Sequence, residues 1–374
     1  MREWLTHVWR LGIKELHSLR RDPVLVLLIV YVFTLAIHSV ATGVKTEVVN
    51  AAIAVVDEDR SALSRQIRDA FRPPLFQTPV LLAPQQVDEA MDHGRQTFVL
   101  DIPPRFEADL LAGRGPDLQL AVDATAMTQA GIGATYVETI VMAEIATFLG
   151  GSGAAAAPVA TVVRARFNPN LDSTWFTAVM QVINNVTILA IVLVGAAVMR
   201  EREHGTIEHL LVMPLRASEI MAAKIWANGL VILAAAILSL WLVVNGLLGV
   251  PIVGSTALFA LGTGVYLVSV TALGILLSTL ARSMPQFGLL AIPVFAVMNM
   301  LSGATTPLES MPAALRLLVQ PMPSTQFVAF AQAVLYRGAG LETVWPQLAA
   351  MAAIGAAFFV LALARFRAAL AAAA

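Results

Sequence analysis

Six apolar runs, at residues 23–44, 171–199, 225–248, 257–280, 287–305 and 344–367, constrain this chain more than any other feature. Each is close to the length a helix needs to cross a bilayer, roughly 20 residues. Inside a membrane no water can satisfy a free amide, so such runs must fold as helices that pair their own backbone. Composition agrees. Of 374 residues 58% are hydrophobic and 13% charged, about half the charged share of an ordinary soluble domain. The predicted fold class is an α-helical polytopic membrane protein with six transmembrane helices and an α/β domain inserted between the first two spans.

Basic residues orient the spans. Arg2, Arg10, Lys14, Arg20 and Arg21 precede the first run; Arg200, Arg202, Arg216, Lys224, Arg282, Arg365 and Arg367 fall in segments of the same side. The short loops of the other side carry Arg316 and Arg337. Membrane proteins keep arginine and lysine in cytosolic loops, so both termini, including the tail 368–374, are expected in the cytosol and the inserted domain in the periplasm. Residues 1–22 read as a cytosolic interfacial helix, with Leu5, Val8, Trp9, Ile13, Leu16 and Leu19 on one face. Trp4 and Trp9 suit the headgroup layer. The first run is longer than a signal-peptide core and reads as an uncleaved anchor.

Residues 45–170 alternate short strand-like and helix-like stretches, the pattern of a small α/β domain. Met127 to about Phe148 reads as a helix leading back towards the bilayer, and Gly150–Pro158 as a flexible connector. The stretch 306–343 is too polar to span. Ser310 is placed to cap one short helix, and Ser324 a second that ends near Tyr336. Both are expected to dip into the outer leaflet as re-entrant helices.

Between the second and third spans lies a charged island, residues 200–224, opening with Arg200-Glu201-Arg202-Glu203. Gly205-Thr206 gives a break and an N-cap, Ile207–Met213 an amphipathic turn, and Pro214 a stop. Ser218 is placed to cap the next helix, with Glu219 in its first turn. The island reads as two short helices at the membrane surface, either a plain cytosolic connector or a docking element that another protein pushes on.

Several chemistries are missing. No phosphate-binding loop of the GxxxxGK[ST] kind occurs, so the chain is not expected to hydrolyse ATP or hold a cofactor itself. There is no cysteine, which removes disulfides and thiol chemistry, and a net charge of −1 gives no reason for a nucleic-acid partner. His204 and His209 are poorly spaced for a shared metal on a helix. Gly131-Ile132-Gly133 lacks the context of a dinucleotide site and reads as flexibility. No Asp, Glu, Lys or Arg stands near a span centre, which counts against an ion-coupled carrier. The spans hold His38, Gln181, Asn184, Asn185, Asn245 and Asn299 instead. Such amides either bond across helices as packing glue, or, for Gln181, Asn184 and Asn299, line a substrate path.

Six stretches together carry a family resemblance: RFNPNLDSTWF at 166–176, INN at 183–185, REREHGTIEHLLVMP at 200–214, ARSMPQFGLL at 281–290, LSGATTPLESMP at 301–312 and AQAVLYRGAG at 331–340. The chain resembles the membrane subunit of ABC-2 type exporters, in the YhhJ/YbhR group of bacterial inner-membrane permeases. The resemblance implies a coupling helix that contacts a separate ATPase subunit through Glu201, Glu203, Gly205, Thr206 and Glu208. It also implies ATP bound on that partner, two permease chains side by side, and in many cases a periplasmic adaptor of the membrane-fusion type. The expected function is outward movement of a hydrophobic or amphiphilic substrate. The alternative is a mechanotransmitting subunit that drives the adaptor with nothing crossing the bilayer.

Overall fold

The computed structural model describes residues 2–43, 48–123, 127–151, 168, 172–203, 215–306 and 308–371, in two compact units, Met1–Gly43 with Thr174–Ala374 and Val44–Ser173. The first unit opens with α1 (Arg2–Arg21). Asp22 then caps α2 (Pro23–Phe33), its Oδ1 accepting from Val24 N and Leu25 N at 3.2 Å each, with Pro23 in the first turn where its missing amide costs nothing. The first span is not continuous. It breaks at Thr34 and resumes as α3 (Leu35–Gly43).

The second unit contains a four-stranded sheet of order β2-β1-β3-β4. In chain order it comprises β1 (Ile53–Asp57), α4 (Ala62–Ala70), β2 (Val80–Leu81), α5 (Val87–Asp92), β3 (Phe98–Ile102), α6 (Phe106–Leu111), β4 (Gln119–Val122) and α7 (Met127–Gly151). β1 pairs in parallel with β2 and β3, while β4 is antiparallel to β3 with Leu100 opposite Leu120. Successive strand residues point to opposite faces. Ile53, Val55, Phe98 and Leu100 therefore pack with Leu63, Ile67, Phe71 and Val137 on one side, and Ala54, Val56 and Val99 with Val87 and Met91 on the other. Burial on both faces is why β1 reads as an unbroken apolar run. Gly133 is not a flexible joint but a point of close approach: a Cβ there would collide with the ring of Phe98.

The first unit resumes with α8 (Ser173–Glu203), α9 (Ala217–Ser239), a π-helical continuation Leu240–Leu247, α10 (Thr256–Leu280), α11 (Met284–Met300), α12 (Ala313–Val319), α13 (Pro323–Leu335) and α14 (Leu341–Ala371). Among the described residues six helices are long and apolar enough to cross a membrane: Pro23–Gly43, Ala130–Gly150, Ser173–Glu203, Ala217–Leu247, Thr256–Leu280 and Leu341–Ala368. The set differs from the expected one. The fifth expected span, 287–305, is the 17-residue helix Met284–Met300, and Ala130–Gly150 qualifies in its place. At 1.5 Å per residue α11 is about 26 Å long, against about 30 Å of hydrocarbon. Part of α7's apolarity has another use, since Val137 and Val141 are buried in the core beside the sheet.

Three expected caps are corrected. Ser218 and Ser324 lie inside their helices, whose N-caps are Arg216 and Met322, and α12 is preceded by Pro312 rather than capped by Ser310. In α13 the ring of Pro323 sets the first helical residue, which draws the start one residue ahead of Ser324. α13 is largely enclosed within the helical unit. Ten of its thirteen residues are buried, and it packs against α10 and α14. Tyr266 of α10 stacks on Phe327 at 4.0 Å between ring centroids, and its hydroxyl meets Thr187 of α8 at 2.8 Å.

Candidate functional site at the charged end of the helical unit

The charged quartet is the last turn of α8, so the second span helix runs four residues past 199 before the island continues. Consecutive helical residues point about 100° apart, and four in a row fan out around the axis. Each finds a different partner. Arg200 Nη1 donates to Asp22 Oδ2 at 2.9 Å, reaching the cap of α2. Glu201 Oε1 lies 2.9 Å from Lys224 Nζ on α9. Arg202 Nη1 donates to the carbonyl of Ala281, which closes α10, at 2.8 Å. Glu203 Oε1 accepts from Met284 N at 2.7 Å, at the first turn of α11.

Lys224 is the buried member, its side chain 2% exposed. Its ammonium is shared between Glu201 and Glu15 of α1, the latter at 2.8 Å. An ammonium removed from water is tolerated only when paired and hydrogen-bonded, and two carboxylates meet that need. Above it runs a ladder between α1 and α9. Trp4 Nε1 donates to Ser218 Oγ at 3.4 Å, and His7 Nδ1 lies 3.3 Å from Glu219 Oε1. Trp226 Nε1 donates to the Val8 carbonyl at 3.1 Å and its ring stacks on Trp9 with centroids 5.1 Å apart. Gly12 leaves the space that the Trp226 ring fills. Glu219 also accepts from Arg216 N at 2.7 Å, which closes the start of α9.

The packed side of α1 therefore includes Val8 and Gly12, its two buried residues, and reaches Glu15. The apolar face expected from Leu5 to Leu19 is only partly the packed one, and Leu5 is 56% exposed. Pattern reading missed Lys224, Glu15 and Asp22 as partners of the quartet. The available signal was the single lysine of α9, at the edge of its long apolar stretch, since a lysine is almost never fully buried unless paired.

Glu201 and Glu203 are thus both engaged within the chain, the first half-buried and the second exposed. Gly205, Thr206 and Glu208, with the turn Ile207–Met213, lie outside the described residues. The span amides divide. Gln181 Nε2 donates to Asn185 Oδ1 at 3.0 Å, and Asn185 Nδ2 to the Val32 carbonyl at 2.7 Å. Ser239 Oγ donates to the Phe33 carbonyl at 2.6 Å. These two carbonyls sit where the break at Thr34 interrupts the helix, so Asn185 and Ser239 satisfy acceptors next to the kink. Asn184 is half-buried, and Asn299 Oδ1 is shut from solvent with no hydrogen-bond partner among the described residues. No hydrogen bond joins Asn299 to Gln181 or Asn184 among those residues either.

The last turn of α8 thus ties α2, α9, α10 and α11 together at one end of a helical unit with several helices long and apolar enough to cross a membrane. The chain belongs to the ABC-2 transporter family: residues 23–364 match the family described as "ABC-2 family transporter protein". It is 50% identical over 364 residues to the inner membrane transport permease YhhJ of Escherichia coli (strain K12), with 97% of each chain covered. It is 30% identical over 351 residues to the probable multidrug ABC transporter permease YbhR of the same strain, covering 91% of this chain and 93% of that one. The probable multidrug ABC transporter permease YbhS of that strain is 25% identical over 338 residues, covering 88% of this chain and 89% of that one.

Proposed function

We propose that this permease moves a hydrophobic or amphiphilic substrate outward across a bacterial inner membrane, driven by a separate ATP-binding subunit. The observation that carries the reading is the charged end of the helical unit. There the island's two flanks, Glu201 and Lys224, meet in a buried ion pair. A displacement of the residues between them has a rigid base to act on. In this reading residues 204–214, with Gly205, Thr206 and Glu208, dock the ATPase, and ATP stays on that partner. Met284–Met300 counts as the fifth span, both termini lie in the cytosol, and the α/β unit lies in the periplasm, where a membrane-fusion adaptor can meet it. The protein works as one of two permease chains. ATP closes the ATPase pair, and the permease passes to an outward-open state, a two-state change biased by a ligand on another subunit.

The names of YbhR and YbhS make drug-like amphiphiles the first substrates to try. The test is uptake of Hoechst 33342 and of a fluorescent phospholipid into inside-out vesicles carrying the permease with its co-expressed ATPase. ATP-dependent accumulation supports the reading. An ATPase that binds and turns over while neither probe, nor any solute released by cells holding the complex, moves would favour mechanical drive of an adaptor instead.

A further inference from the structure

A run of four charges next to a docking segment is expected to face a partner. The geometry of Arg200–Glu203 assigns it another task. Arg200 reaches the cap of α2, Glu201 the ammonium it shares with Glu15, Arg202 the end of α10 and Glu203 the start of α11. One helical turn thus touches four neighbouring elements, and a fifth, α1, through the shared ammonium. We infer that Arg200–Glu203 is a distribution hub that passes displacement of the docking segment to the membrane helices, and that Glu201 and Asp22 are positioning residues for transport.

The chain of contact is specific. The ion pair of Arg200 with Asp22 sits on the residue that starts α2, so a shift of α8's last turn pulls on the first span at its cap. That span already has a kink at Thr34, where Asn185 and Ser239 hold the free carbonyls from α8 and α9. Lys224 ties the two flanks of the docking segment together, because moving it away from Glu201 leaves that half-buried carboxylate without its ammonium. Packed, hydrogen-bonded networks of this kind carry coupling when the element they join has two arrangements. The inference rests on the docking reading above, and its test separates the two.

The test uses the absence of native cysteine. An environment-sensitive fluorophore is attached to Val253→Cys, in the exposed segment beyond the far end of α9, and in a second sample to Leu35→Cys beside the kink. Each is reconstituted in nanodiscs with the ATPase subunit. In the otherwise unaltered protein ATP with vanadate shifts the emission. Adding Glu201→Ala should reduce the Val253 shift by more than half, with melting of the labelled complex within a few degrees and the ATPase still bound. Adding Asp22→Asn, which keeps the cap oxygen but loses the charge, should reduce the Leu35 shift likewise. Full shifts in both variants would overturn the hub. Loss of the ATPase from Glu201→Ala would also overturn it, since Glu201 would then belong to the docking contact. If Glu201→Ala fails to accumulate, the Asp22→Asn result decides alone. If the unaltered protein binds no ATPase, the docking reading falls and the hub with it.

Discussion

Lys224 Nζ lies 2.9 Å from Glu201 Oε1, and these two residues stand at opposite ends of the charged island. The pair joins the last turn of α8 to α9 directly, on either side of residues 204–214. The consequence is a strong dependence on charge balance. Replacing Lys224 with methionine leaves Glu15 and Glu201 facing each other with their shared cation gone. Breaking a buried pair in this way costs about 3–5 kcal/mol, so the variant is expected to melt well below the parent. Methionine at Glu15 and Glu201 as well should recover most of that loss, because an apolar replacement of the whole cluster leaves no charge behind. Thermal unfolding of the purified permease in one detergent measures both steps. Equal melting of Lys224→Met and the parent would mean the cluster is solvated.

The amides in the spans give a second expectation. Asn185→Leu removes the donor to the Val32 carbonyl and the acceptor of Gln181 together. A buried acceptor left unpaired costs about 1–3 kcal/mol. Asn184→Leu, at a half-buried position with no such bond among the described residues, should melt close to the parent. The two variants measured side by side check the assignment, and a larger loss from Asn184→Leu would reverse it.

Orientation is tested with single cysteines at exposed positions. Gln119→Cys and Ser310→Cys should react with an impermeant thiol reagent added to intact spheroplasts, and Arg282→Cys and Arg216→Cys should react only after lysis. Reaction of Arg216→Cys from outside would invert the proposed topology.

Much of the helical architecture could be read from the chain because length and apolarity act locally. Asp22-Pro23 announces the start of α2, and the short apolar stretches at residues 53–57 and 98–102 announce the sheet. The features that escaped are long-range. Nothing near Thr34 marks a break, since no proline or glycine stands there, whereas Pro293 sits inside α11 without ending it. Glu15 and Lys224 are 209 residues apart, and no local pattern joins them. A run of charges in a loop looks outward-facing by default. Arg200 and Glu201 depart from that because they end a helix whose neighbours offer them a cap carboxylate and an ammonium. The choice between α7 and α11 as a span was also ambiguous on composition alone, because a helix packed on a sheet needs the same apolar side chains as one in lipid.

The central claim is that residues 200–224 carry the work of ATP into the membrane helices. Gly205→Val and, separately, Glu208→Lys test it most directly. Glu208→Lys places like charge against a basic or polar receiving surface, which opposes binding far more than loss of one exposed pair, about 0–1 kcal/mol. Gly205→Val adds a branched side chain at the proposed backbone break. The measurement is ATP-dependent uptake into inside-out vesicles, normalised to permease in the membrane, with Glu208→Gln beside them. The account predicts normal membrane levels for all three, uptake near that of the parent for Glu208→Gln, and uptake abolished for Glu208→Lys and Gly205→Val. Full uptake by both Glu208→Lys and Gly205→Val would contradict it and leave the island an ordinary connector.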